Sequence, residues 1–448
     1  MRLDIDMRPT TLTAVGLFLL LCCGSDADAA SRPNIVYFMA DDLGYQDLGC
    51  YGHPEIKTPV LDQLAKTGVR LTSFYCGATV CTPSRMALMT GSYPPRLGWT
   101  KGVVGYMINT RQGLSPQAMT MAEVFKSAGY ATCISGKWHL GDAEPFRPHR
   151  QGFDRTYYTN KSNNQTTQLW RGDEVAEDPF DNRRLTAQFT REAIRFIDKH
   201  HREPFFLYVP YTAPHFPVEA HPDFEGHSTF GVYGDVVEEL DARIGSILGK
   251  LEEKDLTKKT IVVFLSDNGP QPGEQALANP YRGMKWDALE GGTRVPCIVS
   301  WPGVLPAGRE SDALIAAIDL LPTLSKVCGI DLPDLTQNVP RIDGVDVWDT
   351  FLGKQGSEHP RKDLMYWHGA KGFQAIRLGN WKFFPEAKNA KLPGDPDGPA
   401  LFHLKKDPSE TVNVASQYPD RVKQMQALAM QQLADIMEQK IPLGESLP

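Results

Sequence analysis

Along the first three-quarters of the chain, uninterrupted apolar runs alternate with stretches of helical spacing. Residues 34–40 (NIVYFMA), 130–135 (YATCIS), 204–210 (PFFLYVP), 260–266 (TIVVFLS) and 295–300 (VPCIVS) read as strands. Residues 59–68, 119–128, 185–200 and 232–252 place their apolar positions on one helical face. Strands with no polar alternation must be covered on both faces, so this order predicts an α/β fold: a large, mostly parallel sheet sandwiched by helices. After about residue 340 the pattern changes. Residues 366–369, 373–378 and 381–385 predict short antiparallel strands, 401–404 another, 394–399 (GDPDGP) a turn-rich loop, and 418–438 a closing helix. The division expected is a large α/β domain over 30–340 and a smaller α+β subdomain, with an antiparallel sheet, over 341–448.

The first residues follow a different pattern. Arg2 and Arg8 precede an apolar run over 12–23, and Ala27-Asp28-Ala29 supplies a small-residue cleavage site. A signal peptide over 1–29 is expected, and with it a secreted or periplasmic protein. No other run is apolar and long enough to predict a membrane span. Removing 1–29 changes the formal charge from −7 to −5, because two arginines and four aspartates leave. A mildly acidic surface argues against nucleic acid as a partner, and any anionic substrate must be met by local basic groups. Six cysteines then remain: Cys50, Cys76, Cys81, Cys133, Cys297 and Cys328. That number is too few for a disulfide scaffold, with room for one or two bridges, and the spacing shows no zinc-type pair.

Candidate chemistry falls where the predicted strands end. Open parallel sheets bind ligands at the carboxyl ends of their strands. Here those ends carry Asp41-Asp42, Gly136-Lys137-Trp138-His139, Pro214-His215 and Asp267-Asn268-Gly269. Asp41, Asp42, Asp267 and Asn268 offer oxygen donors only, which suits calcium before magnesium and does not suit zinc. Adjacent carboxylates also repel each other without a cation. Cys81-Thr82-Pro83-Ser84-Arg85 opens a helix: Thr82 is the expected N-cap, Pro83 fits the first turn, and Gly91 fits just beyond the end. A helix N-terminus with an arginine one turn on is a site for an anion. The residue types alone also allow a low-pKa thiol, as in a cysteine phosphatase or a redox enzyme, or a capped helix with a buried cysteine.

The C-x-P-x-R motif at Cys81–Arg85, continuing to Thr90-Gly91, resembles the signature of type I, formylglycine-dependent sulfatases of the alkaline phosphatase superfamily. The segment 129–139 (GYATCISGKWH) is similar to their second signature. Residues 32–45, 266–269 (SDNG), 290–296 (EGGTRVP), and 401–404 with Asp407, Glu410 and Asn413 resemble the family over nearly the whole mature chain, most of all its arylsulfatase A and N-acetylgalactosamine-sulfatase branch. The resemblance implies that a separate formylglycine-generating enzyme oxidises Cys81 to formylglycine and that Arg85 holds that residue. It also implies that Lys137, His139, His215 and Lys285 contact the sulfate or the aldehyde hydrate. One Ca2+ would be bound by Asp41, Asp42, Asp267 and Asn268, with the modified Cys81 or a sulfate oxygen completing its shell. One hydroxyl of the hydrate would attack sulfur, a protonated His215 would assist the leaving alcohol, and His139 would help the second hydroxyl expel sulfate. In similar enzymes a polar residue after 152–154 also touches substrate, a part that Ser162 or Asn163 could play. The substrate class implied is a sulfated carbohydrate. The alternatives are a phosphodiesterase or phosphonate monoester hydrolase that keeps the C-x-P-x-R motif, and a degenerate protein that only binds sulfated glycans.

Overall fold

The structure is a computed structural model describing residues 32–332, 340–358, 360–391 and 398–446. The expected signal peptide over 1–29 and most of the 394–399 turn lie outside the described residues. Ten strands form the main sheet: β1 (Asn34–Ala40), β2 (Val69–Leu71), β3 (Ala131–Lys137), β4 (Arg155–Thr159), β5 (Leu169–Arg171), β6 (Glu174–Glu177), β7 (Phe205–Pro210), β8 (Thr260–Ser266), β9 (Cys297–Ser300) and β10 (Arg309–Ser311). Their order across the sheet is β6-β5-β4-β3-β7-β1-β8-β9-β2-β10. The central five, β4-β3-β7-β1-β8, run parallel.

β9 departs from the parallel reading of 295–300, because it runs antiparallel to β8 and to β2. A parallel neighbour needs a long crossover, usually a helix. The link from β8 to β9 contains only the single helical turn Glu290–Thr293, so the chain turns back along the sheet.

The faces of the sheet are covered as the apolar runs demand. Along β1, Ile35, Tyr37 and Met39 join one core, and Val36, Phe38 and Ala40 join the other. The second core is closed by α1 (Pro59–Thr67), α4 (Leu185–His200) and α5 (Val232–Glu253). The first is closed by α2 (Cys81–Thr90), α3 (Met121–Ser127) and α6 (Leu320–Val327). α3 begins with a reciprocal capping box between Thr120 and Glu123.

The C-terminal region forms a separate antiparallel sheet, β11 (Asp363–His368), β12 (Gly372–Leu378), β13 (Trp381–Phe384) and β14 (Ala400–His403), followed by α7 (Pro419–Glu438). Its apolar residues Ile376, Phe383, Leu401 and Met425 belong to the same core as Ile35 and Tyr37. A buried ionic cluster reinforces this junction. Lys382 of β13 lies 3.0 Å from Glu290 and 2.9 Å from Glu410, with all three side chains fully buried. Burial would raise the Glu290 carboxyl, but Lys382, Arg294 and Arg377 outweigh it and hold the group at about 2. Burial, with Glu290 beside it, pushes Glu410 up to about 7 against the pull of Lys382.

Candidate active site

The carboxyl ends of β1, β3 and β8 and the segment after β7 converge on the N-terminus of α2. Cys81 is the first residue of α2 and is buried, as are all ten residues of the helix. Its Sγ lies 3.4 Å from Asp41 Oδ1 and 4.0 Å from Asp42 Oδ1. The N-cap is Val80, with no side-chain bond, and not Thr82 as the sequence suggested. Thr82 instead ties the helix sideways: its Oγ1 donates to the His139 carbonyl at 2.9 Å and accepts from Val104 N at 3.1 Å. Gly91 ends the helix in the left-handed conformation, with φ of 67°.

Three buried cations meet three buried carboxylates. Lys137 Nζ donates to Asp41 Oδ2. Lys285 Nζ donates to Asp42 Oδ2 at 2.7 Å. Arg85 Nε donates to Asp267 Oδ2 at 2.9 Å, its Nη1 donates to the Lys137 carbonyl at 2.6 Å, and its Nη2 lies 3.6 Å from Asp41. Ser84 Oγ donates to the Asp267 carbonyl. The Asn268 amide donates to Asp42 Oδ1 at 2.7 Å. Thus side chains from 41 to 285 in sequence form one connected network.

The histidines are oriented by carbonyls. A carbonyl only accepts, so the ring nitrogen facing it carries the proton. His139 Nε2 faces the Val104 carbonyl at 3.0 Å, which leaves Nδ1 unprotonated, buried and without a partner. His215 Nδ1 faces the Phe216 carbonyl at 2.7 Å, and its Nε2 lies 3.6 Å from Asp42. Asp42 and His139 both adopt positive φ, 66° and 61°, a strained conformation that the packing at this site holds in place.

The local field sets the protonation states. Burial would raise Asp41, but Lys137, His215, Arg85 and Lys285 outweigh it and hold the carboxyl well below its usual range. Burial and the neighbouring Asp41 push Asp267 up to about 6, against Arg85 and Lys137. Burial lowers His139, helped by Lys137 and Arg85. Burial also takes His215 down to about 4, against Asp42 and Asp41, so it is neutral near pH 7 without a ligand. The acid role expected from the sequence therefore needs added negative charge beside it. Burial and Asp41 push the Cys81 thiol up, the reverse of the stabilised thiolate of a cysteine phosphatase.

The donor set fits a hard cation. Ligand atoms of Asp41, Asp42, Cys81 and His215 all lie within 4.8 Å of one another. Asp267 joins this group through its Oδ1, which accepts from Asp42 N at 3.2 Å. The buried Asn268 Oδ1 has no hydrogen-bond partner and is a free oxygen donor beside the carboxylates.

Sequence reasoning passed over some of the supporting groups. Ser84 and Thr82 lie inside the recognised motif, but their reach to Asp267 and His139 depends on chain crossings that no local pattern reveals. Asn163 donates to the His215 carbonyl at 3.4 Å and to Asn182 at 2.8 Å, so it supports the histidine loop.

Two family models match the chain: Sulfatase over residues 33–330, and N-sulphoglucosamine sulphohydrolase, C-terminal, over residues 285–439. Arylsulfatase A of Homo sapiens is 34% identical over 92% of this chain and 90% of its own length. A solved structure from work on the metabolism of multiple glycosaminoglycans by Bacteroides thetaiotaomicron is 30% identical. It covers 90% of this chain and 99% of its own, with a TM-score of 0.80. A second, solved in complex with k-i-k-neocarrahexaose, is 28% identical over 93% of this chain and 95% of its own, also with a TM-score of 0.80. Among the described residues no helix is long and apolar enough to cross a membrane. With matches running from the first strand to the last helix, the chain belongs to the sulfatase family and is a sulfuric ester hydrolase.

Proposed function

We propose that this protein releases sulfate from sulfated carbohydrates, with residue 81 acting as the nucleophile after oxidation from cysteine to formylglycine. One calcium ion, held by Asp41, Asp42, Asp267, Asn268 and residue 81, completes the site. The observation that carries this reading is the placement of Cys81: buried at a helix start, 3.4 Å from Asp41 and inside the ring of Lys137, Lys285 and His215. The saccharide class is supported by relatives whose descriptions name glycosaminoglycans and a neocarrahexaose. An exported protein with a signal peptide over 1–29, a catalytic domain over 30–340 and a subdomain over 341–448 accompanies this reading, as does maturation by a formylglycine-generating enzyme.

The balance of buried charge gives the physical reason. Three carboxylates already face three cations, so the protein's own groups are near neutral. A divalent cation would leave the pocket with an excess of two positive charges, which a sulfate monoester offsets by one and the sulfate dianion by two. The ion would supply charge stabilisation for the sulfuryl oxygens and ease deprotonation of the nucleophile. As an aldehyde hydrate, residue 81 would supply two hydroxyls on one carbon, one to attack sulfur and one to expel sulfate.

The remaining steps belong to ordinary side chains. Lys137 and Lys285, which donate to Asp41 and Asp42, would offset charge on the sulfuryl oxygens. Arg85 fixes Asp267 and the end of β3, and so the floor of the site. His139 is neutral with a free Nδ1 lone pair, the state required to accept a proton from residue 81. A bound ester adds negative charge beside His215, which offsets part of the positive charge there and favours protonation, so that Nε2 would protonate the leaving oxygen.

Peptide mass analysis of active protein, with turnover of an aryl sulfate against aryl phosphate mono- and diesters, tests the proposal. The expected result is an aldehyde at position 81 and preference for the sulfate. Full activity with an intact thiol would overturn the nucleophile, and preference for a phosphodiester would favour the alternative hydrolase. Binding of sulfated glycan by fully modified protein, without sulfate release, would favour the binding-protein alternative.

A further inference from the structure

Two aromatic side chains stand beside the catalytic cluster without any part in it. Tyr106 is 54% exposed and its neighbour Met107 is 49% exposed. They sit on a tight turn in which Val103 and Tyr106 exchange both backbone hydrogen bonds at 2.9 Å. That turn is fastened to catalytic residues. Its Val104 N donates to Thr82 of the Cys81 helix, and its Val104 carbonyl accepts from His139. Tyr106 meets the ring of Trp286 edge-on, with centroids 6.1 Å apart and planes at 86°.

Trp286 is equally tied to the site. It directly follows Lys285, the cation on Asp42, and its own backbone N donates to the Thr79 carbonyl at 3.0 Å, two residues before Cys81. Its ring lies flush on Gly369, where a Cβ would come within 2.6 Å of two ring carbons, so any side chain at 369 would displace it. The backbone at Trp286 is held at φ of 73° and at Met107 at 69°.

Isolated exposed aromatics are ordinary, but here an exposed tyrosine meets a tryptophan, and both are mounted on backbone that also holds Thr82, His139 and Lys285. Tyrosine and tryptophan offer an apolar ring face with a polar edge, which suits a ligand that is apolar on one side and hydroxylated at its rim. A pyranose ring has that character. We infer that Tyr106 and Trp286 form an aromatic subsite that takes the apolar C–H face of the sugar ring bearing the scissile sulfate ester. Tyr106 Oη and Trp286 Nε1 then serve the ring hydroxyls. This deepens the proposed sulfated-carbohydrate reading and rests on it.

The test separates ring recognition from sulfate recognition in the active, modified enzyme. KM would be measured for a panel of monosulfated hexoses and N-acetylhexosamines, and inhibition constants for inorganic sulfate, in wild type, Tyr106→Ala and Tyr106→Phe. For the best sugar, Tyr106→Ala should raise KM about tenfold, and Tyr106→Phe should recover most of that loss. The inhibition constant for inorganic sulfate, which has no ring, should stay within about twofold in both variants. An unchanged KM in Tyr106→Ala overturns the subsite. So does a parallel rise in KM and the sulfate constant, which would mark general distortion. Turnover of an aryl sulfate by wild type, without turnover of any sulfated sugar, overturns the subsite while leaving the sulfatase chemistry intact. No turnover of any sulfate ester by protein carrying the aldehyde overturns the proposed function itself, and the subsite with it.

Discussion

The guanidinium of Arg282 donates to the carbonyl of Glu410 at 2.6 Å, across 128 residues of chain. The same side chain also reaches the carbonyls of Ser409 at 3.1 Å and Ala390 at 2.9 Å. Its own carbonyl accepts from Gly291 N at 2.9 Å. The C-terminal region thereby grips the loop that presents Lys285 to Asp42. Arg282→Ala should lower kcat/KM on an aryl sulfate by about tenfold, ~1.4 kcal/mol of transition-state stabilisation. Arg282→Lys should recover only part of the activity, because an ammonium lacks the planar fork. Kinetics with a parallel melting curve check this. Loss of activity only in proportion to loss of folded protein would deny a positioning role.

Metal binding should be visible without any assay of turnover. A ligand that binds the folded state alone stabilises it by about 2.7 kcal/mol at a hundredfold excess over Kd. Added calcium should therefore raise the melting temperature of chelator-treated protein and restore its activity. Asn268→Ala, which removes the unpartnered Oδ1, should weaken that thermal shift. A melting temperature indifferent to calcium in wild type would remove the metal from the account.

The cluster at Lys382 predicts a pH dependence of stability. Glu410 is raised to about 7 when folded, above its unfolded value near 4.5. Its stabilising protonation is complete below the unfolded pKa and is lost as pH rises through about 7. Glu290, held at about 2, works in the opposite sense: its contribution is present above its unfolded pKa and is lost as pH falls through about 2. Between roughly pH 4.5 and 7 the Glu410 effect alone makes stability fall with rising pH. Glu410→Gln resembles the protonated form and should flatten that slope. Denaturant unfolding across this window measures it, and equal slopes in the two proteins would refute the assignment.

Cys81→Ser separates attack from release. A serine hydroxyl occupies nearly the position of one hydroxyl of the hydrate, but its carbon carries no second hydroxyl to expel sulfate. Incubation with an aryl sulfate should give at most one turnover per site and a sulfated residue 81, seen by peptide mass analysis. Sustained turnover by this variant would show that the geminal pair of hydroxyls is dispensable.

The parts of the fold legible in the sequence were those whose burial leaves a one-dimensional trace. β1 and β8 are buried on both faces and read as continuous apolar runs with the boundaries expected. The same is true of α4, whose apolar stripe is regular. The strands toward one end of the sheet, β4, β5 and the edge strand β6, left no such trace, because RTYYT, LWR and EVAE mix charged and apolar positions. The reversal of β9 is a property of its connection rather than of its own residues. At the site, the strand-end motifs pointed to Asp41, Lys137, His215 and Asp267, and the structure draws them together. Which groups each one touches was not legible. The tautomer of His139 depends on a carbonyl 35 residues away, and the mounting of Trp286 depends on Gly369.

Cys81 is 1% exposed, on a helix with no exposed residue. No second protein can reach that sulfur while the helix is packed. On the proposed function, a catalyst that oxidises Cys81 would have to act before α2 packs into the site. Activity would then be decided once in the life of each molecule, by whether oxidation preceded folding. A chain that folded first would keep a buried thiol, out of reach of that catalyst until it unfolded. A preparation would then hold competent and inert molecules in a fixed ratio, and its specific activity would record that ratio rather than a property of the finished fold.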